Sequence, residues 1–79
     1  REYKIMFSVP VDYRDENLRK KLPPAFDEQI KGEVYRYVVE SYGFYFLDHL
    51  VNLNTSSLAF RRLVDEALLH SESVEVAEL

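Results

Sequence analysis

The chain has 79 residues, of which 47% are hydrophobic and 30% charged, with a net charge of −4 at pH 7 and no cysteine. This size and balance indicate one small folded domain without disulfides, thiolate zinc sites or thiol nucleophiles. The acidic balance argues against a nucleic-acid partner, and the lack of a long apolar run argues against a membrane span. The lack of disulfides favours a cytoplasmic, intracellular location. Position 1 is Arg, so we expect residues 1–79 to be a processed chain or a domain excised from a longer protein.

Residues 3–11 alternate along the chain, which predicts a half-buried strand. One face carries Tyr3, Ile5, Phe7, Val9 and Val11, and the other carries Lys4, Met6, Ser8 and Pro10. Pro10 cannot donate a backbone hydrogen bond, so the strand ends there or lies at a sheet edge. The polar segment that follows predicts a short helix ending at Leu22, because Pro23 keeps Leu22 out of the helical region.

A helical pattern covers residues 24–42, and a second, shorter helix is predicted over residues 44–53. The apolar side chains of the first helix recur at intervals of three and four: Phe26, Ile30, Val34, Tyr37 and Val38. Gly43 is placed to end that helix. The run Phe44–Leu47 is also compatible with a strand, which stays open as the alternative.

Residues 55–70 predict a further helix, capped by Thr55 or Ser56. Its apolar stripe consists of Phe60, Leu63, Val64, Ala67 and Leu68. Arg62 and Glu66 lie one turn apart on the polar side, where we expect an exposed ion pair.

The C-terminal residues 71–79 contain either a second strand around residues 74–77 or a frayed end. A strand there would pair with residues 3–9 and bring the two termini together. The predicted fold is therefore a small single α+β domain. It has an N-terminal strand followed by three or four helices, with a short C-terminal strand as the open alternative.

The adjacent Asp48 and His49 are the first candidates for chemistry, because a carboxylate bonded to an imidazole is a common acid–base pair. Neighbouring residues of a helix point about 100° apart, so these two side chains are not expected to bond each other. The second histidine, His70, lies 21 positions further on and the chain has no cysteine, which fits no metal-ligand spacing. We therefore predict a protein that is not an enzyme, with no catalytic residue, metal or cofactor.

Six of the eleven aromatic residues lie between positions 35 and 46, more than one face of a helix can bury. Tyrosine and phenylalanine are enriched at the centres of protein interfaces. An ordinary core would use part of this cluster, and a partner surface would use the excess. The predicted contact residues are Tyr35, Tyr42, Phe44, Tyr45 and Phe46, followed by the strand edge at Lys4, Met6 and Ser8. We therefore predict a protein–protein interaction module, or a small regulator or inhibitor, that binds another protein chain or a second copy of itself as a homodimer.

The segments "MFSVPVDYRDENLRKKL" and "TSSLAFRRLVDEALL" together resemble the ribbon-helix-helix DNA-binding proteins. In that family one N-terminal strand pairs with its dimer mate and enters the major groove, and two helices follow. The resemblance implies that Lys4, Met6 and Ser8 read bases and that Thr55 and Ser56 lie near phosphate. A dimeric DNA-binding transcriptional regulator is therefore the alternative function.

Overall fold

The structure is a computed structural model that describes all residues from 1 to 79, and it contains two helices and six strands. The elements in chain order are β1 (Glu2–Met6), α1 (Glu16–Lys21), β2 (Phe26–Asp27), β3 (Gly32–Glu33), β4 (Tyr35–Glu40), β5 (Gly43–Asp48), α2 (Leu53–His70) and β6 (Glu75–Glu78). Four strands form an antiparallel sheet in the order β4-β5-β1-β6, and β2 and β3 form a separate two-stranded ribbon. Only two helices are present and most elements are strands, so the predicted fold with three or four helices is wrong.

The helix predicted over residues 24–42 is replaced by the β2–β3 ribbon and strand β4. Tyrosine and valine occupy four of the six positions of β4, and both residue types favour strands over helices. Lys31 adopts a φ of 52°, in the left-handed region, which a right-handed helix does not contain. Of the five apolar residues whose spacing suggested one helix, Phe26 lies in β2, Tyr37 and Val38 lie in β4, and Ile30 and Val34 lie outside the strands.

The helix predicted over residues 44–53 is also wrong, and the alternative of a strand is confirmed. Phe44 and Phe46 are buried, and the side chains between and after them point to the other face of the sheet. The chain then turns at Leu50, which has a φ of 61° and whose N–H donates to Asp48 Oδ1 at 2.8 Å. This turn separates β5 from α2.

The predicted N-terminal strand, C-terminal strand and last helix are present, with shifted ends. β1 already ends at Met6. The N-cap of α2 is Asn52, whose side chain accepts a hydrogen bond from the Thr55 N–H at 3.1 Å, so neither Thr55 nor Ser56 is the cap. β6 pairs antiparallel with β1, which brings the two ends of the chain together.

The core lies between one face of the sheet and the two helices. Its buried apolar side chains are Ile5, Phe7, Leu18, Val34, Tyr35, Phe44, Phe46, Ala59, Leu63 and Ala67. In β1 and β5 these residues alternate with outward-pointing ones, as expected for an antiparallel sheet covered on one side. The domain therefore has two layers, and no helix or strand covers the second face of the sheet.

Gly43 of β5 lies in close contact with the neighbouring central strand β1. This residue is buried and has a φ of 142°. A Cβ at this position would overlap the carbonyl oxygen of Ile5 and lie 3.1 Å from Phe7 Cδ1. The backbone conformation and the close contact both require glycine, since only a residue without a Cβ satisfies them.

Gly43→Ala is expected to lower the free energy of unfolding by about 3 kcal/mol or more, because the added methyl group must separate the central strands and strain the backbone. Gly32→Ala is the matched control, since a Cβ there would meet no atom closer than 3.8 Å. Its effect should stay within about 1 kcal/mol. Urea unfolding followed by circular dichroism measures both values. Equal losses in the two variants would contradict the assigned contact.

Candidate protein-interaction surface

The face of the sheet that points away from the helices is called the open face here. Its members are Glu2, Lys4, Met6, Arg36, Val38, Glu40, Tyr45, Leu47, Glu75 and Ala77. One row across the four strands consists of Val38, Tyr45, Lys4 and Ala77. Directly opposed residues of an antiparallel pair share a face, so these rows form one continuous surface.

A lysine and an aromatic ring meet where the open face adjoins the turn between β4 and β5. The Lys4 ammonium lies 4.9 Å from the centroid of the Tyr42 ring, which is a cation–π contact. Desolvation and the nearby Glu40 carboxylate raise the pKa of Tyr42. The contact holds one cation beside the apolar residues of the central strands.

Tyr45 is the central aromatic side chain of the open face. It lies between Val38 of β4 and Lys4 of β1. Its hydroxyl donates a hydrogen bond to the Glu2 carboxylate, and this bond raises the pKa of Tyr45. The residue is only half-buried. A partly exposed ring with a satisfied hydroxyl is typical of tyrosines at protein interfaces.

The structure brings some of the predicted contact residues together and separates others. Lys4, Met6 and Tyr45 lie on the open face, and Tyr42 lies beside it in the turn, against Lys4. Tyr35, Phe44 and Phe46 are only 3%, 0% and 1% exposed and belong to the core. Ser8 lies beyond the end of β1, where its N–H donates to Ser71 Oγ at 3.0 Å. The accessible part of the predicted surface is therefore the open face.

Two apolar residues of this surface, Val38 and Leu47, were not among the predicted contact residues. Val38 is 40% exposed and Leu47 is half-buried. The alternation of side chains over residues 35–48 carries the signal for both. Assigning a helix to these residues concealed that alternation.

Asp48 and His49 do not bond each other, as expected, and each has another partner. Asp48 Oδ1 accepts the Leu50 N–H, and His49 Nε2 lies 2.9 Å from Glu33 Oε1. The bond to His49 and the nearby Arg36 hold the pKa of the Glu33 carboxyl below its usual value. The Asp48 side chain therefore stabilises the turn after β5, and the His49 side chain contacts the end of the β2–β3 ribbon.

A second polar cluster surrounds the carboxylate of Glu66 on α2, which is only 7% exposed. The Tyr13 hydroxyl donates to Glu66 Oε2 at 2.6 Å. Lys21 Nζ and His70 Nε2 lie 4.0 and 3.5 Å from its two oxygens. The predicted exposed pair with Arg62 is wrong, because Arg62 donates to the carbonyl oxygen of Lys21 instead. The cluster fastens α1 and the segment before it to α2.

No protein-family model matches this chain, and no curated protein or solved structure is significantly similar to it. None of the helices has the length and apolar character needed to cross a membrane. No group of three or more histidine, cysteine or acidic side chains is close enough to hold a metal ion. The open face and the strand edges beside it are the surfaces from which a function is inferred.

Tyr13→Phe is expected to lower the free energy of unfolding by about 1 kcal/mol at pH 7, because the buried Glu66 carboxylate loses a hydrogen bond. Burial, followed by this bond, holds the pKa of Tyr13 well above its ordinary value of 10. The unfolded chain therefore ionises first, so the stabilisation is complete below pH 10 and is lost as the pH rises further. Urea unfolding of the wild type and of Tyr13→Phe between pH 7 and 11 measures both free energies of unfolding. The difference between them should shrink above pH 10, and a constant difference would contradict the assigned bond.

Proposed function

We propose that this protein is a non-enzymatic interaction module that binds a partner protein through the open face, and that it regulates or inhibits that partner by occlusion. The observation that supports this is the chemistry of the open face. The solvated face of an antiparallel sheet is usually polar. Here Met6, Tyr45 and Leu47 occupy its two central strands and are only half-buried. Apolar surface bordered by polar residues marks interaction sites.

The charges around the open face define the partner's chemistry. Three carboxylates, those of Glu2, Glu40 and Glu75, outnumber the two cations, Lys4 and Arg36. The whole chain also carries a net charge of −4. We expect a partner whose contacting surface has apolar side chains bordered by lysine and arginine, because complementary potentials favour association.

The fold gives the ribbon-helix-helix alternative no support. β1 is paired on both edges, with β5 and with β6, so it has no free edge for a dimer mate. The acidic border of the open face would also repel phosphate. The absence of cysteine supports an intracellular, cytoplasmic site of action for the proposed module.

A photo-crosslinking amino acid at Leu47 tests whether the open face meets a partner. In the cells from which the protein comes, this position should give one defined protein adduct. The same probe at Leu58 should give none, since that residue is 41% exposed but lies on the helix layer. Equal adducts from both positions would overturn the proposal, because they would show contact without preference for the open face.

Tyr45→Ala should then weaken binding of the purified partner at least tenfold, about 1.4 kcal/mol, because central aromatic residues dominate interface energies. Leu58→Ala should leave the dissociation constant unchanged. Titration calorimetry measures both, and urea unfolding should place Tyr45→Ala within about 1 kcal/mol of the wild type. An affinity that neither substitution changes would also overturn the proposal.

A further inference from the structure

β4 is a sheet edge whose backbone has no partner on one side. It pairs only with β5, and none of the backbone hydrogen bonds outside the helices and strands involves residues 35–40. The other edge, β6, has four residues and carries Glu75 and Glu78, and short charged edges resist further pairing. β4 has six residues, with Val38 and Val39 40% and 37% exposed. An open edge of this kind is a template for another strand.

The sequence of β4 is complementary to itself when two copies run antiparallel. Arg36 lies two residues before Val38, and Glu40 lies two residues after it. A two-fold axis at Val38 therefore places Arg36 opposite Glu40 of the second copy, and symmetry repeats the pair. We infer that β4 binds β4 of a second copy of this chain in this register, which joins the two sheets into one.

The same register matches the apolar side chains and the backbone groups. Tyr37 faces Val39 of the second copy, an aromatic and β-branched pair of the kind that stabilises antiparallel strands. Glu40 and Gly43 close the two-residue turn between β4 and β5. The two residues of such a closing pair exchange both backbone hydrogen bonds, so the N–H and C=O groups of Glu40 point towards β5. Successive residues of a strand point these groups to opposite edges. Those of Tyr37 and Val39 therefore point towards the free edge of β4. These groups can bond across the two-fold axis.

The neighbouring registers lose the charge match. An axis at Tyr37 places Arg36 against Val38, and an axis at Val39 places Glu40 against Val38. Exposed ion pairs add at most about 1 kcal/mol each, so their main effect is to select the register. In the single chain, Arg36 Nε lies 3.2 Å from Glu33 Oε1. Because the Arg36 side chain is 61% exposed, it can exchange this ion pair for one with the second copy.

The space beside β4 is compatible with a second strand. A shallow groove there is lined by Asp15, Arg19, Tyr37, Val38 and Val39. The Tyr37 hydroxyl donates to Asp15 Oδ2 at 2.8 Å, which holds the ring against the helix layer and away from the edge. The pairing is independent of what the open face binds, and it would set the open faces of two copies side by side.

Charge reversal tests the self-pairing. Arg36→Glu and Glu40→Arg should each weaken dimerisation at least tenfold, because like charges then face each other. An equimolar mixture of the two variants should restore the dimer, since one chain carries acids at both positions and the other carries bases. Arg61→Glu, at an exposed position of α2, is the charge-matched control and should change nothing. Sedimentation equilibrium over a hundredfold concentration range, at low and high salt, measures each case.

Two results of that experiment would overturn the inference. One is a wild-type chain that remains monomeric at every concentration. The other is a dimer that neither reversal weakens, which would place the contact on a different surface. Either result leaves the proposed partner binding by the open face untouched, because Leu47 cross-linking and the Tyr45→Ala affinity measure that separately.

The absence of cysteine allows a direct test of the register. Val38→Cys puts one thiol from each copy at the two-fold axis, where opposed Cα atoms lie about 4.5 to 5.5 Å apart and within disulfide range. Mild oxidation should therefore give a covalent dimer. Val39→Cys is the matched control, because it is equally exposed but its two copies are offset along the strands beyond disulfide reach. Faster cross-linking through Val39→Cys, or none through either variant, would overturn the register.

Discussion

The contact between Gly43 and the carbonyl oxygen of Ile5 is the constraint on which the rest of the structure depends. It lies where the two central strands meet, and it fits only one alignment of β5 along β1. Because side chains alternate between the faces of a sheet, a slip of one residue would turn Phe44 and Phe46 outward and bring Tyr45 into the core. The absence of one side chain therefore decides which aromatic residues are buried and which form the open face.

The elements that could be predicted from the sequence are those with a single unambiguous period. β1 alternates and α2 repeats every three to four residues, so local pattern suffices for both. Between residues 34 and 53 the apolar residues are so dense that either period fits, and adjacent pairs such as Tyr37 and Val38 suit both faces of a strand. Gly43 could equally end a helix. Its actual role depends on Ile5, which lies far away in the sequence and cannot be inferred from neighbouring residues.

Three residues of the open face were predictable from the sequence, but their arrangement was not. Lys4, Met6 and Tyr45 stand out for their chemistry, whereas their proximity results from the pairing of β1 with β5. The same pairing buries Phe44 and Phe46 under α2, so composition alone overstates the accessible aromatic area. The sequence shows how many aromatic residues a small domain has. Long-range strand pairing decides which of them are exposed.

The position of β1 in the sheet has a consequence for biosynthesis. This strand leaves the ribosome before both of its neighbours, which come from residues 43–48 and 75–78, so its backbone stays unpaired until those residues follow. Such distant pairing also slows folding. Proteolytic trimming of residues 75–78 would recreate this condition in the folded protein by turning β1 into a second bare edge. A chain with two open edges can add strands at both ends, so the strand pairing proposed for β4 would no longer be limited to two copies and would extend into a fibre.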